Sequence, residues 1–172
     1  MKKSLKIAFC GIVSALVCVI MTASLFPDLT FAVPAVAGLM FIPVFASAGA
    51  PAAFACFVSS SVLSFFIGDK TSWLLFLAFF GYYPVLKPLI EKVKRTAVRW
   101  ALKFLVFNAA ATVLYFVELL VFNISVGKWW LALIFAAGNA VFVLYDIAVS
   151  RLAAFYYLRL HKKISAVLNK NV

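Results

Sequence analysis

The stretch LTFAVPAVAGLMFIPVFASAGAPAAFACFVSSSVLSFFIG, Leu29 to Gly68, runs without a single charged side chain. It is twice as long as one membrane crossing needs, about 20 apolar residues. Pro43, Gly49 and Pro51 fall near its middle. Proline cannot continue a helix and glycine adopts turn conformations without steric cost, so the stretch is expected to fold as two helices, 30–47 and 51–67, joined by a tight turn.

The same reading extends in both directions. Ile7 to Phe26 is a further apolar run, closed by Pro27-Asp28. Residues 72–86, 104–122 and 129–150 are the remaining candidate spans. The expectation is an all-α membrane protein, a bundle of six transmembrane helices in one integral membrane domain covering 1–172. Met1 to Ser24 has the basic start and apolar core of a signal peptide, but the run is long enough to span and further spans come after it, so it is expected to remain as the first helix.

Composition supports this. Hydrophobic residues make up 67% of the chain and mean hydropathy is +1.13, far outside the range of water-soluble domains. Sixteen Lys and Arg stand against five Asp and Glu. They form short clusters between apolar runs, as expected when basic residues set membrane topology, and not a basic surface for nucleic acid. Lys2, Lys3 and Lys6, then Lys87, Lys92, Lys94, Arg95, Arg99 and Lys103, then Arg159, Lys162, Lys163 and Lys170 share one face, and only Lys70 and Lys128 lie on the other. By the positive-inside rule both termini are expected in the cytoplasm of a bacterial cell, with the chain multi-pass in the plasma membrane. Between positions 87 and 103, Leu89, Val93, Ala97 and Trp100 recur at helical spacing among charges, which predicts an amphipathic cytoplasmic segment; 159–172 is a basic tail.

Enzyme chemistry is not expected. The single histidine, His161, lies in the basic tail, and Cys10, Cys18 and Cys56 sit in apolar runs with neither CxxC spacing nor paired histidines. No metal, cofactor or catalytic residue is expected, and no Gly-rich phosphate loop is present, so the chain is not expected to bind ATP itself.

Ionisable and amide groups within spans are costly and usually face the interior or a cavity, which singles out Glu118, Asp146 and Arg151. Asn108, Thr112 and Tyr115 line one face of the fifth span, with Glu118 one turn on; Asn139, Asp146 and Ser150 line one face of the sixth. Glu118 and Asn139 fall toward the outer half, where they either contact a ligand or hold helices together. Arg151 is expected to pair with Asp146 or to reach the inner interface. Tyr82, Tyr83, Trp129 and Trp130 are interfacial anchors or an aromatic wall for a flat ligand. On the first helix, Gly11 and Ala15 make a small-xxx-small pair, extended by Ala8 and Cys18, of the kind that lets another helix approach closely.

Six short spans, the basic amino terminus, Gly11-x-x-x-Ala15 and the Pro/Gly-rich hairpin of Pro34, Gly38, Pro43, Gly49 and Pro51 together resemble the S component of an energy-coupling factor (ECF) transporter. The resemblance covers the layout of most of the chain and few individual positions; the usual motif is Ala-x-x-x-Ala, and Gly stands at position 11 here. It implies capture of a vitamin or similar micronutrient from outside. It also implies docking of Ala8, Gly11 and Ala15 on a T-type transmembrane component driven by two ATPases. The ligand site would lie in the outer half, near Pro27 to Thr30, Glu118, Asn139 and Trp129. Two other classes share the layout: a membrane assembly scaffold similar to the rod-shape protein of the MreD type, and a small secondary transporter using Glu118 or Asp146.

Overall fold

The computed structural model describes residues 3–122 and 127–160, and these are helical throughout apart from short connections. Its helices are α1 (Lys3–Thr22), α2 (Ala32–Leu39), α3 (Phe41–Ala48), α4 (Ala50–Ile67), α5 (Lys70–Leu75), α6 (Tyr83–Ile90), α7 (Thr96–Phe122) and α8 (Lys128–Phe155). Among the described residues five helical segments are long and apolar enough to cross a membrane: Ser4–Leu25, Ala50–Ile67, Lys70–Ile90, Thr96–Val117 and Trp129–Arg159. Large apolar side chains such as Ile7, Phe66 and Leu105 point outward on them, as helices bathed in lipid require.

The segment expected as one helix over 30–47 is instead two short helices broken at Met40. Pro43 explains the break, since it has no N–H for the Leu39 carbonyl and its ring would collide with that carbonyl in a continuous helix. The reversal between α3 and α4 falls on Gly49, whose φ of +91° is a conformation that side chains with a Cβ rarely adopt. Pro51 comes next, in the first turn of α4, where its missing N–H costs nothing.

The chain divides into two compact units, residues 1–86 with 149–172, and residues 87–148. In the first, α1 packs along α4, and Val13, Val17 and Met21 meet Ala53, Cys56 and Phe57 in the core. Phe41, Phe57 and Phe76 form a buried triad with ring centroids 6.0 to 6.2 Å apart. Phe76 opens a wide helical turn, Phe76–Phe80, in which the Gly81 N–H reaches back to the Phe76 carbonyl at 2.8 Å. The wide turn ends just before Pro84, which could not bond to the Phe80 carbonyl in a regular helix. Gly81 is pressed against the triad, and a Cβ there would come within 2.5 Å of the Phe57 ring. Asp69 caps α5 by accepting from the Thr71 and Ser72 N–H groups. Ser47 and Tyr156, 109 positions apart, share a hydrogen bond of 3.1 Å within this unit.

In the second unit α7 and α8 run antiparallel, joined to the end of α6 by the turn 91–95. Residues 87–103 are therefore two helix ends and a turn. Lys87 belongs to the helix before the turn, and Lys103 lies inside the helix after it. Helix α6 continues to Ile90, past the span end expected at Leu86, and α7 begins at Thr96, before the span start expected at Phe104, so both helices run past the two lysines that mark those limits in the sequence.

Candidate functional site

The second unit is organised in three layers. The first is ionic. Lys87 Nζ donates to both the backbone carbonyl and Oδ1 of Asp146 at 2.5 Å. Lys103 Nζ donates to Oδ1 and Oδ2 of the same carboxylate at 2.9 and 3.1 Å, and to Glu91 Oε1 at 3.2 Å. Glu91 also lies 3.7 Å from Lys87, one helical turn on. Lys87, Lys103 and Asp146 are 3, 5 and 4% exposed, whereas the Glu91 side chain keeps 42% of its surface in solvent.

Two ammonium groups and two carboxylates balance, which is the condition under which charges can be buried in a low-dielectric setting at tolerable cost. Each of the three buried groups belongs to a different candidate span, so the cluster ties three apolar helices at one level. Arg151 is not needed for this balance. Of the two alternatives for Arg151, pairing with Asp146 gives way to the two lysines, and Arg151 is exposed.

The second layer is aromatic. Phe142 stacks on Phe107 at 4.6 Å and meets the edge of Phe104 at 5.9 Å, which separates the ion cluster from the third layer, an amide pair. Asn108 Nδ2 donates to Asn139 Oδ1 at 3.0 Å and Asn139 Nδ2 donates to Asn108 Oδ1 at 3.1 Å. The second N–H of each amide goes to the carbonyl four residues back, Phe104 and Phe135, at 2.8 Å. All four amide N–H groups are used, so Asn139 has only acceptor capacity on Oδ1 left for a ligand.

The paired positions 103/146, 107/142 and 108/139 fix the register of the two helices, which brings position 118 level with about position 129. Glu118 is in α7, but its side chain lies outside the described residues. Trp129 is 91% exposed at the start of α8. Tyr115 is half-buried with its ring beside Phe116. Tyr82 belongs to the first unit, half-buried against the Phe57 ring. Of the residues expected to contact a ligand, Asn139, Tyr115 and Trp129 thus share one helical hairpin.

On α1, Ala8, Gly11 and Ala15 are all exposed, and a Cβ added to Gly11 would meet nothing within 4 Å among the described residues. Cys18, expected to extend this face, is buried, so the smooth surface ends at Ala15. The buried side of the helix carries Val13, Ser14 and Val17; Ser14 shares a hydrogen bond with Ser59 of α4 at 3.2 Å. His161 and the tail beyond it lie outside the described residues. Among the described residues no group of His, Cys, Asp or Glu has the arrangement of a metal site.

Lys87 and Lys103 are the buried charges, and Glu91 their half-exposed partner, that the sequence reading does not single out as site residues. Lys87 stands in YPVLKPLI and Lys103 in WALKFLVF, each surrounded by apolar residues, and that placement is the signal for burial.

These features define an all-α membrane protein with a compact polar core in one helical hairpin and an open small-residue face on its first helix. No protein-family model matches the chain, and no curated protein or solved structure is detectably similar to it.

Proposed function

We propose that the chain is the substrate-capturing membrane subunit of an ATP-driven importer for a vitamin or similar micronutrient, resembling an ECF S component in the bacterial plasma membrane. Its partners on this reading are a T-type transmembrane component and two ATPases. The observation that carries it is the exposed face of Ala8, Gly11 and Ala15, which leaves the α1 backbone open to close approach by a helix from another chain.

The reading takes Ala32–Ala48 as a sixth, interrupted crossing. A continuous helix of its 17 residues would be about 25 Å long, close to the thickness of a bilayer core, and the break at Met40 makes the crossing shorter than that. Six crossings put both termini on one side, and Lys92, Lys94, Arg95 and Arg99 between α6 and α7 mark that side as cytoplasmic. The ligand would enter from the opposite end and meet Glu118, Asn139, Tyr115 and Trp129, which belong to one helical hairpin.

A pull-down of the tagged protein from native membranes in mild detergent, with mass spectrometry of proteins and released small molecules, tests the proposal. Recovery of a T-type protein with two ATPases and a bound metabolite is the expected result. Recovery of envelope-assembly proteins with neither ATPase nor metabolite would replace it with the scaffold reading.

The buried Lys87, Lys103 and Asp146 favour one second reading, a small ion-coupled transporter, because charged groups within spans commonly serve ion pathways. It requires uptake into proteoliposomes driven by an ion gradient with no ATPase present.

A further inference from the structure

The turn 91–95 joins two segments that are each long and apolar enough to cross a membrane, so it lies at a membrane face. This turn and the first turn of α7 carry Lys92, Lys94, Arg95 and Arg99, the first three exposed and Arg99 partly so. Glu91 is the one acid between positions 87 and 103, and its carboxylate is engaged by Lys103 and Lys87 from the buried side. Among the described residues no ion pair reaches the four surface cations. The first turn of α7 contains no acid either. The cluster thus engages the one acid of this segment, and among the described residues the surface cations of the turn have no ion-pair partner.

Two further features bear on what binds there. Arg99 folds back so that its Nη2 donates to Thr96 Oγ1 at 2.9 Å, while its buried Nε–H finds no acceptor among the described residues. Val98 and Trp100 are exposed on the same helix end, with the Trp100 ring 5.1 Å from Lys103 Nζ. Cations at the membrane face beside exposed apolar and indole surface suit a ligand with an anionic head and an apolar body.

We infer that the turn between α6 and α7 is a binding site for anionic phospholipid of the adjoining leaflet. Lys92, Lys94, Arg95 and Arg99 engage the phosphodiester headgroup, and Val98 and Trp100 lie against the acyl region. The occupant is lipid and not an acidic protein segment because the site opens where two spans meet the bilayer surface. The inference does not depend on the importer reading.

The test reconstitutes the purified full-length chain into nanodiscs of phosphatidylcholine mixed with phosphatidylglycerol and measures retained lipid by native mass spectrometry. Phosphatidylglycerol is expected to be enriched over its bulk fraction. Each of Lys94→Gln, Arg95→Gln and Arg99→Gln should lower that enrichment by about five-fold at low salt. Added salt should weaken it in the unaltered protein as the Debye length shortens. Lys70→Gln, an exposed cation in a different loop, should leave it unchanged. Helical circular dichroism confirms that each variant is folded, and the salt series needs no variant at all. Absence of enrichment in the unaltered protein, or an equal fall with Lys70→Gln, overturns the inference.

Discussion

Lys87 and Asp146 are 59 positions apart in the chain, yet the lysine ammonium holds both the side-chain oxygen and the backbone carbonyl of the aspartate at 2.5 Å. Asp146 also carries Lys103, so one carboxylate anchors two buried cations. Removing it strands both. Asp146→Ala is expected to cost about 3 to 5 kcal/mol, the range for breaking a buried ion pair from one side. Replacing Lys87 and Asp146 together by Met and Leu should cost clearly less, because Lys103 keeps Glu91 as its partner. Thermal unfolding in detergent checks both, and equal losses for the two variants would show that the cluster does not act as a balanced unit.

The reciprocal amide pair is the second tie between α7 and α8. Asn108→Leu and Asn139→Leu should each destabilise modestly, with a coupling in the double-mutant cycle of about 0.6 kcal/mol, since polar contacts between membrane helices are worth little net. Asn139→Leu also bears on the proposed function. If the remaining lone pair on Asn139 Oδ1 receives a ligand, this variant weakens capture while Asn108→Leu weakens it less; equal binding by both would leave the amides a purely structural pair.

Gly81 makes a sharper packing test. Its missing side chain is what lets the wide turn lie against Phe57, and a methyl there would be 2.5 Å from the ring and 2.8 Å from the Phe76 carbonyl. Gly81→Ala should cost about 1 to 3 kcal/mol by overpacking, read as a lowered unfolding temperature. Partial rescue by Phe57→Leu, which removes the obstructing ring edge, distinguishes a steric cause from a change in helix propensity.

Legibility of the fold in the sequence divides along one physical line. The apolar runs give the helical membrane character because burial of backbone polar groups in lipid leaves a chain few alternatives. Gly49 and Pro51 locate the reversal at the centre of the uncharged stretch. Helices α6 and α7 run past the span limits expected at Leu86 and Phe104, because Lys87 and Lys103, which mark those limits in the sequence, turn inward to a carboxylate far along the chain. No local pattern states that partnership. The break at Met40 is in principle legible, since Pro43 acts on the carbonyl four residues before it. Asn108 and Asn139 each fall on an inward face by spacing alone, but their mutual pairing needs the register of two helices, which only the fold supplies.

Glu118 is the ligand candidate whose role a single substitution addresses most directly. Its position on α7 is level with the start of α8, three residues beyond Tyr115. On the importer reading Glu118→Ala should weaken retention of the co-purifying metabolite at least ten-fold, about 1.4 kcal/mol, and leave the recovery of the T-type partner unchanged. Unaltered retention would remove Glu118 from the site.

Gly11 separates docking from folding. Gly11 is exposed and a Cβ there has no neighbour within 4 Å among the described residues, so Gly11→Leu should leave the unfolding temperature unchanged or raise it slightly through better helix propensity. A helix from another chain, however, would be held away by the isobutyl group, and close backbone approach is the source of association between small-residue faces in lipid. The expected outcome is loss of the T-type component and ATPases from the pull-down, with any bound metabolite retained. Gly11→Ala, which preserves a small surface, should retain them. If the leucine variant unfolds, the face packs internally; if it is stable and still recovers every partner, docking takes place elsewhere on the chain.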